Sequence, residues 1–294
     1  MFRLSKLSYK TQRKILITSF LFIPLLLLTV FSYLPSINMI YYSFTDWNGF
    51  SKHKDIIGLE NYITIFTNPD YFKVFFVSLY YLVGSFLQLG LALYFATILS
   101  AKVRLKSFFK GVLFFPYLLN GVAIGFIFLF FFRPDGSLDS LMKLLGLGNF
   151  TQLWMGNPKL INVSFTFTSL WRYMGYNFVL FLGAIQSIPG DIYEAADLDG
   201  ANKWHQFKYI IFPSIKPIIE LNMILAVKGA ISVFEIPYIM ADGGNGSATF
   251  VIQTVNSAFK YNRYGLASAM GVVLLIIIVI VTLIQKAVFK EREA

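Results

Sequence analysis

The sequence contains no cysteine and only two histidines, His53 and His205. Without cysteine the chain can form neither a disulfide nor a thiolate metal site, and two histidines cannot build a histidine-rich metal site. The phosphate-binding pattern G-x-x-x-x-G-K-[ST] is also absent, so the chain cannot hydrolyse ATP by that route. No Ser-His-Asp arrangement or carboxylate pair suited to a soluble cleft is available. We therefore expect no catalytic residue, cofactor or metal.

Charged residues are scarce, at 14% of the chain, whereas 56% of the residues are hydrophobic and 18% are aromatic. The mean hydropathy of +0.64 is far above that of a soluble domain. This composition predicts an all-α integral membrane protein with several spans. The net charge of +10 could suggest nucleic-acid binding, but the basic residues cluster at the ends of apolar segments. That clustering favours membrane orientation and attraction to anionic lipid headgroups, with no nucleic-acid partner.

Six apolar segments are long enough to be transmembrane helices, since a helix needs about 20 mostly apolar residues to cross the hydrocarbon core. They cover roughly residues 15–37, 74–100, 111–133, 161–188, 213–240 and 264–285. The first has a basic flank like that of a signal peptide, but its apolar run is longer, which predicts a retained helix.

The distribution of the 25 Lys and Arg residues predicts the orientation. Most of them fall in the segments that six spans would place on the same side as the N-terminus, and basic loops are usually cytoplasmic. Both termini are then cytoplasmic. The predicted organisation is a basic cytoplasmic segment over 1–14, a single transmembrane domain over 15–288 and a cytoplasmic tail over 289–294.

A polar segment over residues 189–213 separates the fourth and fifth predicted spans. It predicts two short helices joined by a turn at Gly200, which can adopt the left-handed conformation that ends a helix. Asp191 and Glu194 form a capping-box pattern at the start of the first helix, and Asn202 can cap the second. Pro213 then favours a helix start or a kink.

This segment resembles the EAA loop of the membrane subunits of ABC importers. The family pattern is E-A-A, three residues, G, nine residues and I-x-L-P. The matching residues here are Glu194, Ala195, Ala196, Gly200, Ile210 and Pro213, with Phe212 in place of the leucine. Further similarity to carbohydrate-type ABC permeases, the maltose and multiple-sugar group, covers nearly the whole chain past residue 40. Two departures are Glu235, where the family usually has Asp, and Asn245, where it has proline.

The resemblance implies a role and a set of partners. The 189–213 segment would be a coupling helix that docks on a cytoplasmic ATPase through Glu194, Ala195, Ala196, Asp197, Gly200 and Pro213. The partners would be a second permease in a heterodimer, two ATPase copies and an extracytoplasmic solute-binding protein. The complex would import a carbohydrate, such as an oligosaccharide, across a bacterial cell membrane.

The candidates for the transport path are polar or aromatic residues within the predicted spans. Buried charges are costly in a membrane, so Arg172, Lys228 and Glu235 need a reason to be there: a solute path, a structural ion pair or a contact with the partner subunit. Lys228 and Glu235 are seven residues apart and are predicted to share a helix face. Sugars bind aromatic faces and amides, which adds Asn120, Trp171, Asn177 and Tyr238.

Two alternatives to the importer remain open from the residues alone. A stand-alone secondary carrier would need its own ion-coupling site, for which Lys228 and Glu235 are the candidates. It is disfavoured because no internal repeat is visible. A membrane-embedded enzyme is disfavoured because no metal-binding or nucleophile cluster occurs in the sequence.

Overall fold

The computed structural model describes residues 8–101 and 103–290. Within these ranges the regular elements are all helical, and one isolated bridge joins Thr45 and Ile56. The all-α class predicted from composition is confirmed. Residues 1–7, 102 and 291–294, which include parts of the predicted basic N-terminal segment and of the predicted tail, lie outside the described residues.

The α-helices follow one another along the chain, with the longest connections at residues 43–59 and 145–160. In order they are α1 (Tyr9–Leu28), α2 (Leu34–Tyr42), α3 (Glu60–Thr67), α4 (Asp70–Lys73), α5 (Phe75–Ser100), α6 (Lys106–Leu118), α7 (Gly121–Phe132), α8 (Ser137–Leu144), α9 (Ile161–Gln186), α10 (Gly190–Leu198), α11 (Lys203–Gln206), α12 (Phe212–Ile231), α13 (Glu235–Ala241), α14 (Phe250–Val255) and α15 (Tyr264–Lys290). Turns of π-helix lie at Thr29–Tyr33, Phe207–Ile211 and Asn256–Lys260.

Within the described residues, four helical stretches are long and apolar enough to cross a membrane: Tyr9–Tyr42, Asp70–Ser100, Lys203–Ala241 and Tyr264–Phe289. The bent pair α6 and α7 makes a fifth if it counts as one span. The helix predicted over 161–188 is present as α9. It is not among these stretches, because polar residues such as Asn162, Arg172 and Asn177 lower its hydropathy. Six spans therefore stay a prediction.

The third predicted span, 111–133, is two helices rather than one. The axes of α6 and α7 differ by 98° across a break at residues 119–120. Both residues are extended, and the Asn120 side chain accepts a hydrogen bond of 2.8 Å from the Val122 amide, which caps α7. Pro116 lies in the last turn of α6 and has no amide hydrogen to continue that helix. A local cap and a proline thus produce the bend.

The fifth predicted span, 213–240, is also interrupted. Helix α12 ends at Ile231 and α13 begins at Glu235, with non-helical backbone between them. The prediction that Lys228 and Glu235 share a helix face was therefore wrong, because the 3.6-residue period does not continue through the break.

The chain divides into two compact units, one of residues 1–67 and 254–273 and the other of 68–253 and 274–294. In the first unit the buried amide of Asn61 donates to the carbonyl oxygens of Ser43 and Thr45, at 3.0 and 2.8 Å. This amide ties α3 to the end of α2.

The second unit has two apolar clusters. One contains Leu89, Phe178, Ile185 and Ile215 and joins α5, α9 and α12. The other contains Tyr81, Phe128, Phe165 and Ile236 and joins α5, α7, α9 and α13. Helices α5 and α9 therefore contribute to both clusters and position the candidate site.

Candidate functional site

A cavity of about 450 Å³ lies in the second unit between α5, α9, α12 and the break before α13. Its walls mix aromatic, amide and hydroxyl side chains with small residues. The lining residues are Tyr81, Ser85, Gln88, Ser169, Tyr173, Tyr176, Asn177, Asn222, Leu225, Ala226, Gly229, Ala230, Ser232, Val233, Phe234, Glu235 and Ile236. Cavities of this size and composition bind small polar molecules with apolar faces.

Two buried side chains of the cavity wall have unused hydrogen-bonding capacity. Tyr81 and Asn222 are only 3% and 2% exposed. Within the described part of the chain, the Tyr81 hydroxyl and the Asn222 Oδ1 have no hydrogen-bond partner. The Asn222 amide nitrogen is already used, since it donates to the Ile218 carbonyl oxygen at 2.7 Å. Both atoms are closed to a water-sized probe, so they lie behind the cavity surface, although buried polar groups are normally paired.

An ion pair between Arg172 and Glu235 connects α9 to the first residue of α13. Arg172 Nη1 donates to Glu235 Oε2 at 2.5 Å, although the two residues are 63 positions apart in the sequence. The Arg172 side chain is 12% exposed and that of Glu235 is 41% exposed. The guanidinium also lies over the Tyr173 ring, 4.9 Å from its centroid. The carboxylate is thus on the cavity wall, and the cation lies deeper in the protein.

The break between α6 and α7 makes room for this ion pair. A Cβ atom built on Gly121 would overlap the Glu235 carboxylate and the Arg172 guanidinium. Glycine is therefore the residue that allows the start of α7 to approach the pair.

The predicted path residues are only partly brought together. Asn177 and Glu235 line the cavity, and Arg172 holds Glu235. Trp171 packs edge-on against Phe128, with ring centroids 5.2 Å apart.

Within the part of the chain that the structure describes, the cavity lining does not include the remaining candidates Asn120, Tyr238 and Lys228. Asn120 is the cap of α7. Tyr238 stacks on Phe234 at 4.7 Å. Lys228 is exposed and does not pair with Glu235.

Several polar lining residues were missed in the sequence. Tyr81, Ser85 and Gln88 recur at spacings of four and three residues, which places them on one face of α5. A polar stripe inside a charge-free apolar segment was the available signal. Asn222 had a similar signal, as an amide within the apolar sequence of α12.

The polar segment after α9 folds as two short helices. Helix α10 ends at Leu198, and Gly200 follows two residues later with a φ of +73°. The Gly200 and Ala201 amides donate to the Asp197 and Ala196 carbonyl oxygens at 3.2 and 2.9 Å, which is the Schellman pattern. The predicted glycine turn is confirmed. The capping box was wrong, because Pro189 is the cap residue and Asp191 lies inside the first turn.

Polar contacts fix the second short helix against the first. The Asn202 side chain accepts from the His205 amide at 2.9 Å, which confirms the predicted cap. The buried amide of Gln206 donates to Asp197 Oδ1 at 2.5 Å and accepts from Lys203 Nζ at 3.0 Å. A π-helical turn then leads into α12, where Pro213 lies in the first turn.

Part of this segment is packed and part of it is exposed. Ile188, Tyr193 and Phe207 pack against the apolar cluster of α5, α9 and α12. Burial raises the pKa of the Tyr193 hydroxyl. Leu198 and Trp204 are 91% and 66% exposed, and the Trp204 ring stacks on Phe207. The segment therefore offers a protruding surface that is connected to the cavity-forming helices.

Several membrane-length helices, a cavity with polar side chains in its wall and an exposed segment between α9 and α12 are features of a multi-pass membrane transport subunit. The sequence profile of the family described as "Binding-protein-dependent transport system inner membrane component" matches residues 88–293. The chain belongs to this family of ABC transporter permeases. It is a multi-pass protein of the bacterial inner membrane.

Similar proteins support the family assignment. The chain is 35% identical to the probable ABC transporter permease protein YurN of Bacillus subtilis, with 96% of this chain and 98% of YurN covered. It is 32% identical to the multiple sugar-binding transport system permease protein MsmF of Streptococcus mutans, covering 94% and 95% of the two chains. A chain of a bacterial ABC transporter that imports the acidic polysaccharide alginate has the same fold. Its TM-score is 0.83 at 19% identity, with 96% of this chain and 97% of that chain covered.

Proposed function

We propose that this chain is a permease subunit of an ATP-driven importer and forms part of the translocation path for a carbohydrate, with an oligosaccharide as the solute to test first. The observation that carries the proposal is the cavity between α5, α9 and α12, whose wall combines aromatic rings with amide and hydroxyl side chains. Sugar rings present apolar faces and a rim of hydroxyls, which such a wall complements. The sugar-permease description of MsmF supports the same solute class.

The proposed topology has six spans with both termini in the cytoplasm. The bent pair of α6 and α7 would be the third span, and α9 would be the fourth. Several polar residues of α9 are compatible with a span, because Ser169 and Asn177 line the cavity and Arg172 forms the ion pair. The proposed organisation keeps a basic cytoplasmic segment over 1–14, one transmembrane domain over 15–288 and a tail over 289–294.

The 189–213 segment is proposed as the contact with a separate ATPase. Glu194, Ala195 and Asp197 are exposed on α10. Small side chains allow a close fit in a groove of the partner, and the two carboxylates can pair with basic residues there. The packing of Tyr193 and Phe207 against the transmembrane helices would transmit a movement of this segment to the cavity.

The proposed assembly contains a second permease, two copies of a cytoplasmic ATPase and an extracytoplasmic solute-binding protein. The description of the family as binding-protein-dependent supports the last partner. Because this chain has no phosphate-binding loop, ATP hydrolysis would come from the separate chains. The solute would pass between the two permeases, with Asn177 and Glu235 as path residues of this chain and Arg172 as the partner of Glu235.

The test is gentle purification of the tagged chain from its native membrane, followed by identification of the bound proteins and an ATPase assay. We expect a second permease and an ATPase with a phosphate-binding loop in the eluate. A lone chain that still transports solute in vesicles would refute the proposal. The secondary carrier has no specific support, because Glu235 pairs with Arg172 and not with Lys228.

A further inference from the structure

Glu235 gives the cavity wall a negative charge. Among the described residues that line the cavity, it is the one with an ionised side chain. Its carboxylate is 41% exposed, while the side chain of Arg172 is 12% exposed and does not belong to the lining. A solute in the cavity therefore meets the carboxylate before the guanidinium, even though the pair is neutral as a whole.

The position of this carboxylate is fixed from three sides. Arg172 holds it by the ion pair, and Tyr173 covers the guanidinium. The start of α7 closes on the pair at Gly121, where a methyl group would already overlap it. A fixed charge in a cavity with low-dielectric walls produces a stronger potential than a mobile charge in water. An anionic group at this wall would be repelled, whereas sugar hydroxyls could donate to the carboxylate.

We propose that Glu235, positioned by Arg172, is a specificity-determining residue that makes this cavity accept uncharged, hydroxyl-rich solutes and exclude anionic ones. The naming of the solute as a sugar rests on the proposed function, whereas the charge selectivity rests on the ion pair and the cavity. The amide and hydroxyl side chains of the lining, such as Asn177 and Ser232, are consistent with a neutral solute, because they can pair with hydroxyl groups.

The charge selectivity can be measured without knowing the solute, because the chain has no cysteine. A Ser232→Cys reporter on the cavity wall is treated, in the purified complex, with thiosulfonate reagents of similar size that carry either a cationic or an anionic group. The ratio of the two modification rates, read from the mass of the tagged chain, reports the local potential. Ser85→Cys is a second wall reporter, and the exposed Ser187→Cys is the reference outside the cavity.

The expected order of the cation-to-anion ratio follows from the charges. Arg172→Gln raises the ratio, Glu235→Gln lowers it by about tenfold, and the double variant lies between them. Glu235→Asp retains the negative charge, so its ratio of cationic to anionic modification rates should stay near that of the unmodified chain. The double variant also removes the unpaired buried cation that Glu235→Gln leaves behind, so a folding defect in the single variant does not prevent the test.

Glu220→Gln is the matched control, because Glu220 is also paired with a basic residue, Lys216 at 3.6 Å, but does not line the cavity. It should leave the ratio unchanged. An equal ratio in all Arg172 and Glu235 variants would overturn the inference. So would an equal shift in Glu220→Gln, or failure of both wall reporters to react. If the ratio shifts as expected but no sugar is transported, the selectivity stands and the proposed sugar transport fails.

Discussion

The buried Gln206 amide donates to the Asp197 carboxylate at 2.5 Å and so joins the two short helices of the 189–213 segment. Lys203 approaches both residues, at 3.0 Å from Gln206 Oε1 and 3.5 Å from Asp197. These contacts fix the angle between α10 and α11 by side chains rather than by the turn alone. A segment that transmits force needs such internal contacts.

Loss of the Gln206 contact should uncouple ATP hydrolysis from transport. Gln206→Leu keeps the size of the side chain but leaves the Asp197 carboxylate without its buried donor. We expect less solute imported per ATP hydrolysed by the complex in proteoliposomes. Gln186→Leu, at an exposed position at the end of α9, is the control and should behave like the unmodified chain. An equal amount of solute imported per ATP hydrolysed in both variants would contradict the proposed role of the Gln206 contact in coupling.

Gly200 provides a test of charge at the same surface. A Cβ atom there would meet no other atom within 4 Å, so the cost of a side chain comes from the positive φ, about 1 kcal/mol. Gly200→Asp should fold and bind solute but lose transport, because it adds charge at the proposed docking surface. Gly200→Asn has nearly the same shape without the charge and should retain most of the uptake. Normal uptake by Gly200→Asp would refute the docking assignment.

Gly121 should be intolerant of even a methyl group. Gly121→Ala forces the start of α7 away from Arg172 and Glu235, and we expect a loss of about 1–3 kcal/mol in stability. Gly90→Ala on α5 is the matched control, since its Cβ would lie in open space. The midpoint of thermal unfolding of the purified complex measures the stability of the two variants. An unchanged midpoint for Gly121→Ala would mean that the close approach at the ion pair is unimportant.

The Tyr81 hydroxyl should contribute nothing to stability. Because it has no partner within the described residues, Tyr81→Phe should leave the unfolding midpoint of the purified complex unchanged or raise it. Tyr62→Phe is the matched control, because it removes a hydrogen bond of 2.7 Å between the Tyr62 and Ser43 hydroxyls and should lower the midpoint. An equal drop in both variants would mean that the Tyr81 hydroxyl is paired.

The sequence was informative where the signal was local. Long apolar runs predicted the helices because crossing the hydrocarbon core requires about 20 residues. Gly200 and Asn202 predicted a turn and a cap because those conformations depend on one or two residues. The same reasoning failed at Asp191, since Pro189 caps the helix two residues earlier.

The partners in the ion pair and the way the lining residues come together could not be predicted, because they depend on contacts between distant segments. Arg172 and Glu235 are 63 residues apart, and nothing in either local sequence identifies the partner. Glu235 and Lys228 were expected to share one face of a continuous helix, which the break after Ile231 removes. Asn120 was expected on the solute path but caps α7, since its side chain serves the bend between α6 and α7.

Site-specific cross-linking from the end of α10 tests the coupling role of the 189–213 segment most directly. Leu198 is 91% exposed and the chain has no cysteine, so Leu198→Cys gives a single reactive position in this subunit. Leu144→Cys on α8, also well exposed, is the control, because the proposed topology places it on the opposite side of the membrane. We predict that Leu198→Cys cross-links to a chain with a phosphate-binding loop in native membranes and that Leu144→Cys does not. An ATPase cross-linked only from Leu144→Cys, or from neither position while uptake continues, would contradict the assignment of the 189–213 segment.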